Sequence, residues 1–181
     1  MTADSSSKIP FSLKPFEPCT GYSICGLLKY NRASLSIKLQ INGNIDALVI
    51  PALSSRQQRI SGLWEHTCFE LFIQDTNERG YREFNVSPSG DWDGFTFSDY
   101  RAGMKELEMN DAPVVHIERN SGCFSIDATI SPVNLSSVHI GCSTVLEHAA
   151  GPLWYWALAH GKAKPDFHDA GCRSIHINCA E

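Results

Sequence analysis

The chain is short of charge. Of its 181 residues, 19% are Asp, Glu, Lys or Arg, and 20 acidic side chains outnumber 15 basic ones for a net charge of −5. A nucleic-acid binder carries a basic excess, so that class is set aside. No run of about 18 apolar residues occurs, so no membrane-spanning helix is expected. The N-terminal stretch MTADSSSKIPFSLKPFEP lacks the apolar segment of a secretory leader, which points to a cytoplasmic protein. The seven cysteines include no Cys-x-x-Cys, which removes zinc ribbons and thioredoxin-type motifs. Cys68, Cys123 and Cys142 fall inside predicted strands and are expected to be reduced and buried. Neither GxGxxG nor GxxxxGK[ST] occurs, so the common phosphate-cradling loops are missing. No window holds a 3.6-residue apolar period over three turns.

What the chain does hold is period-2 alternation. Leu35, Ile37, Leu39 and Ile41 point one way while Ser34, Ser36, Lys38 and Gln40 point the other, the pattern of a half-buried strand. Further strands are predicted over 22–30, 48–50, 63–74, 81–87, 92–98, 114–119, 123–130, 138–147, 153–160 and 174–178, separated by turn signals such as Ser89-Gly90, Asn120-Ser121-Gly122 and Gly151-Pro152. Residues 1–18 read as a tail or irregular lead-in, residues 19–181 as one domain, and residues 100–110 as a short helix. Short strands broken by turns every 8 to 12 residues predict an all-β fold, a two-sheet antiparallel β-sandwich. The open edges of such a sandwich could pair two copies in a homodimer.

Nine of the 18 aromatic residues lie between Trp64 and Tyr100, and four more between Leu153 and Phe167. Alternation sets Trp64, His66, Cys68, Glu70 and Phe72 on one strand face, Tyr81, Glu83 and Asn85 on another, and Trp92 opposite Phe95 and Phe97. Trp154, Trp156 and His160 share a face. A sheet face that mixes Trp with Glu, Asn and His suits a saccharide: rings stack on its C–H faces, and carboxylates or amides take its hydroxyls. The segment 162–169 (KAKPDFHD) comes next as a loop at the end of the sandwich, because Pro165 cannot continue a ladder. An extended backbone there would aim Asp166 and His168 the same way, into the pocket, with His168 bonded to Asp166 or Glu70. The candidate ligand-binding residues are therefore Trp64, Glu70, Glu83, Asn85, Trp92, Trp156, His160, Asp166 and His168. No residue is assigned a catalytic or metal-binding role.

The segments LWEHTCFELFI (63–73), YREFNVSPSGDW (81–92), YRAGM (100–104), YWALAH (155–160) and KPDFH (164–168) resemble the DOMON-like family related to type 9 carbohydrate-binding modules. The resemblance extends over residues 22–178. It implies a β-sandwich of immunoglobulin or jelly-roll type and, by the habits of related domains, a sugar or haem ligand. In type 9 modules a pair of Trp residues clamps a terminal sugar; Trp64, Trp92 and Trp156 are the positions to which that role could pass. The leading expectation is a non-enzymatic module for a small carbohydrate or polyol-like ligand, with no cofactor. The competing readings are a hydrolase using a pair among Glu65, Glu70 and Glu83, and one using a divalent metal held by His66, His160, His168 and Asp166. A Cys68 nucleophile and non-covalent haem ligated by Met104 or a histidine also compete.

Overall fold

The computed structural model describes residues 7–109, 111–131, 133 and 135–179. Among them the fold is all-β and mostly antiparallel. Twelve strands form it: β1 (Ser7–Pro15), β2 (Ser23–Tyr30), β3 (Leu35–Asn42), β4 (Cys68–Asp75), β5 (Tyr81–Val86), β6 (Trp92–Phe97), β7 (Lys105–Glu106), β8 (Val114–Asn120), β9 (Cys123–Ile130), β10 (Ser137–Glu147), β11 (Leu153–Ala157) and β12 (Ile175–Asn178). Among the described residues, no helix is long and apolar enough to cross a membrane.

The hydrogen-bonded order is β7-β6-β5-β4-β10-β11-β1-β2-β3-β9-β8, with β12 paired to β10 off that path. The sheet is thus continuous and curled, and β1 is the hinge of the curl. Its Ser7–Leu13 stretch pairs with β2, whereas Lys14 and Pro15 pair with Ala157 and Trp156 of β11. Nine residues of the expected lead-in are therefore a strand that joins the two halves; the first six lie outside the described residues.

The halves meet through alternate side chains. Leu39 and Ile41 of β3 and Phe124 and Ile126 of β9 face Phe69 and Leu71 of β4 in one buried cluster. Phe69 and Phe124 stack across it, ring centroids 6.1 Å apart. β3 alternates buried and half-buried positions, whereas β4 is buried on both faces over Cys68–Ile73, so one phase of β4 belongs to this core and the other is left for a different use.

Three local expectations change. Residues 48–50 make only an isolated bridge, Leu48 to His148. Residues 63–67 do not extend β4: Gly62 takes φ of 86° and a 3-10 turn runs Leu63–Glu65. Residues 100–109 hold a tight turn and the two-residue β7 rather than a helix, and Asn110 lies outside the described residues. The thiols are all free; Cys68 and Cys142 are buried as expected, whereas Cys123, at the start of β9, is only half-buried.

The β5–β6 turn sets the register that builds the cavity. Ser87 to Gly90 closes this hairpin, with the Gly90 N–H donating to the Ser87 carbonyl at 2.9 Å and Pro88 supplying the preset φ of the second turn position. Gly90 sits at φ of 87°, where a side chain would be strained. Beneath it the buried Asp91 accepts from the Ser89 and Ser54 hydroxyls and from the Gln58 N–H. The loop of five residues pairs Val86 with Trp92, and therefore Asn85 with Asp93 and Glu83 with Phe95.

Candidate functional site

The phase of the β4–β5–β6–β10–β11 face that the core does not use lines a cavity of about 410 Å³. Its floor is carboxyl-bearing. Glu70 comes from β4 and Glu83 from β5, diagonal neighbours on one face, since Glu70 pairs with Asn85 and Phe72 with Glu83. Its walls are aromatic and aliphatic: Phe95 and Phe97 from β6, Val145 from β10, Tyr155 from β11. Trp64, carried off the sheet by its 3-10 turn, leans edge-on against Phe95 with centroids 5.7 Å apart. The segment between β11 and β12 closes the remaining side with Pro165, Phe167 and His168.

Both carboxyls are deeply set, at 5% and 4% exposure. Burial first, and then the charge of Glu83, push the Glu70 carboxyl well above the ordinary carboxylate range; Arg101 pulls weakly the other way. Burial likewise raises Glu83, against the hydrogen bond from Asn85 and the attraction of Arg101. Asn85 Nδ2 donates to Glu83 Oε1 at 2.8 Å, so Asn85 sits behind the floor and orients it. Glu70 has no such partner: no described residue donates a hydrogen bond to its carboxyl.

His168 is held by Tyr81, whose hydroxyl lies 2.7 Å from Nδ1. That hydroxyl already accepts from the Arg101 N–H at 3.3 Å and has its own proton to give. Nδ1 is then the acceptor, and Nε2–H faces Glu83 Oε2, 3.9 Å away. Burial, with Arg101 and Arg173 adding to it and Asp166 opposing, lowers His168 to about 4, so it is a neutral imidazole at neutral pH.

Arg101 overlooks the cavity from the β6–β7 turn at φ of 50°, a left-handed conformation that costs a residue with a side chain about 1 kcal/mol or more. Its Nε and Nη2 donate to Asp166 Oδ1 at 3.2 and 3.0 Å. Asp166 Oδ2 takes the Tyr100 hydroxyl at 2.5 Å and the Lys162 ammonium at 2.8 Å. Although burial works against it, these donors from Lys162, Tyr100 and Arg101 hold the Asp166 carboxyl far below its usual range. Asp166 thus clamps the wall and neutralises Arg101.

The structure brings together Trp64, Glu70, Glu83 and His168, with Asn85 and Asp166 as supports one layer out. Three expected site residues are elsewhere. Trp92 and Trp156 are 7% and 2% exposed and belong to the main core: Trp92 pairs with Val86, on the face opposite Glu83, and Trp156 with Thr144, on the face opposite Tyr155 and Val145. His160 lies beyond the end of β11, where its Nε2–H donates to the Lys14 carbonyl at 2.9 Å. The segment 162–169 does form a wall, but not as an extended strand. A turn with the Asp169 N–H donating to the Asp166 carbonyl at 3.3 Å sends Asp166 and His168 to different partners, so His168 bonds a phenol rather than a carboxylate.

Among the described residues no three His, Cys, Asp or Glu side chains gather as metal ligands; His66 pairs with Glu147, His160 with the Lys14 carbonyl and His168 with Tyr81. Residues that alternation alone left out are Tyr81, Phe95, Phe97, Arg101 and Tyr155. The signal for Phe95 and Phe97 was in the five-residue hairpin loop, whose length sets them beside Glu83.

The floor has a measurable signature. Between the unfolded carboxyl pKa, about 4.3 for Glu, and the raised folded values, the native state holds more protons than the unfolded one. Stability is therefore fullest below that window and falls as pH rises through it. Glu70→Gln, uncharged and of the same shape, is expected to flatten that fall and to raise the melting temperature at neutral pH. Thermal melts across the acid-to-neutral range check this; an unchanged slope would mean that Glu70 ionises freely in the folded protein.

No known family model matches the sequence, and no curated protein matches it. Solved structures do share the fold. A proposed carbohydrate-binding protein from Bacteroides uniformis superposes with a TM-score of 0.63 at 12% identity, over 92% of this chain and 84% of that one. A family 9 carbohydrate-binding module from Caldicellulosiruptor kristjanssonii, in complex with cellotriose, superposes with a TM-score of 0.51 at 10% identity, over 83% and 72%.

Proposed function

We propose that the protein is a non-enzymatic binding module for a small carbohydrate or polyol-like ligand, seated in the cavity above Glu70 and Glu83. The observation that carries this is an aromatic-walled cavity of about 410 Å³ with two convergent carboxyls on its floor. That size falls in the range of small-molecule sites, roughly 300–1,000 Å³. Rings such as Trp64, Phe95 and Tyr155 offer flat apolar faces to the C–H side of a pyranose, and Glu70, Glu83 and His168 offer hydrogen-bonding groups to its rim. The carbohydrate-binding proteins that share the fold support the reading. With it goes a DOMON-like assignment, in which the two halves of the curled sheet are the layers of a β-sandwich.

Titration calorimetry with neutral monosaccharides, D-glucosamine and cellotriose is the test. Saturable binding of at least one of them is expected. A panel without any binding would overturn the proposal.

A further inference from the structure

We propose that the cavity is built for a saccharide bearing a protonated amine, its ammonium seated between Glu70 and Glu83 and ringed by aromatic faces. This rests on the saccharide reading above and names its ligand class.

The floor's capacity to accept hydrogen bonds is largely unspent. Glu70 is 95% withdrawn from solvent, opens onto the cavity, and accepts no hydrogen bond from any described residue. Its cross-strand neighbour on the same face, Ser143, has a buried hydroxyl that is also without a partner. Glu83 is bonded on one oxygen only, to Asn85, and its other oxygen meets the neutral His168 at 3.9 Å. Among the described residues, the cations Arg101, Lys162 and Arg173 beside the cavity already have partners. Arg101 is bonded to Asp166, Lys162 to Asp166 and to the Tyr100 hydroxyl, and Arg173 stacks on the Tyr81 ring at 4.7 Å while donating to Gln74. Asp93 of β6, paired with Asn85 beside the floor, is taken by Arg59 at 2.7 Å. Cys68 of β4 is a buried thiol, and Tyr155 of β11 a phenol in the wall.

Two carboxyls this deeply buried cannot both ionise cheaply without a counter-charge. A hydroxyl donor leaves that problem unsolved. An ammonium solves it: it donates charge-assisted hydrogen bonds to both carboxylates and meets the negative ring faces of Phe95, Phe97 and Trp64. Burial disfavours charge on both carboxyls in the empty site, and an ammonium placed between them offsets that penalty.

The test is calorimetry near neutral pH with D-glucosamine, D-glucose, N-acetyl-D-glucosamine and choline. D-glucosamine is expected to bind about tenfold or more tightly than either neutral sugar. Glu70→Gln is expected to bring the glucosamine-to-glucose ratio to about one; Glu83→Gln supplies the same comparison should the first variant fold poorly. Equal affinity of the wild type for D-glucosamine and D-glucose would overturn the amine inference and leave the saccharide reading standing. Binding of choline with no binding of any sugar would overturn both.

Discussion

Trp156→Ala is expected to cost about 3–5 kcal/mol of folding stability, the range for emptying an aromatic site in a packed core. Trp156 is 2% exposed and lies among the residues that join the two halves of the sheet. Its strand neighbour across β10, Thr144, is wholly buried, so the site lies within packed interior. Domains of this kind hold only about 5–15 kcal/mol in total. Urea unfolding with a matched m-value reads the loss. The milder Trp156→Phe is expected to keep the fold and to bind saccharide as the parent does, because no part of the indole reaches the cavity. A variant that loses binding while keeping its stability would return Trp156 to the site.

Trp64→Ala is expected to do the reverse. Trp64 is 36% exposed and held on a 3-10 turn outside the strands. Its edge contact with Phe95 is its ring contact, so removing it should change stability by about 1 kcal/mol or less. It supplies one face of the cavity, and an aromatic anchor of that kind carries about 2 kcal/mol or more of binding. Saccharide affinity should drop at least about 30-fold. Unchanged affinity in a folded Trp64→Ala protein would mean that the ligand lies elsewhere.

The two tryptophans show where the sequence was legible and where it was not. Alternation told which residues share a face: Glu70 with Cys68 and Phe72, Glu83 with Tyr81 and Asn85, Trp154 with Trp156. It did not tell which face meets the core, because here both faces are aromatic. On β6, Phe95 and Phe97 look like core and Trp92 like site; the pairing of Val86 with Trp92 inverts that. On β11, Trp156 draws attention and Tyr155 does not, yet Tyr155 lines the cavity. A shift of one residue exchanges the faces of a strand, so the error is complete wherever the phase is misjudged. Glu70 and Glu83 escaped it because a carboxyl within an otherwise largely apolar, buried strand marks the non-core face by itself. Arg101 was out of reach for another reason: its position depends on a left-handed turn and on Asp166, 65 residues away in sequence. Cysteine burial shows the same limit in milder form. Cys68 and Cys142 lie in central strands, whereas Cys123 opens β9 beside a turn and keeps part of its surface.

A saccharide bound in the cavity above Glu70 and Glu83 would perturb the amides that line it. The most direct measurement is backbone-amide mapping by nuclear magnetic resonance during titration with D-glucose and with D-glucosamine. Saturable shifts centred on Glu83, Phe95, Arg101 and Phe167 are expected, with Lys38 and His116 in the other half of the sheet unmoved. Shifts centred on that other half, or no shifts with either sugar, would contradict binding in this cavity.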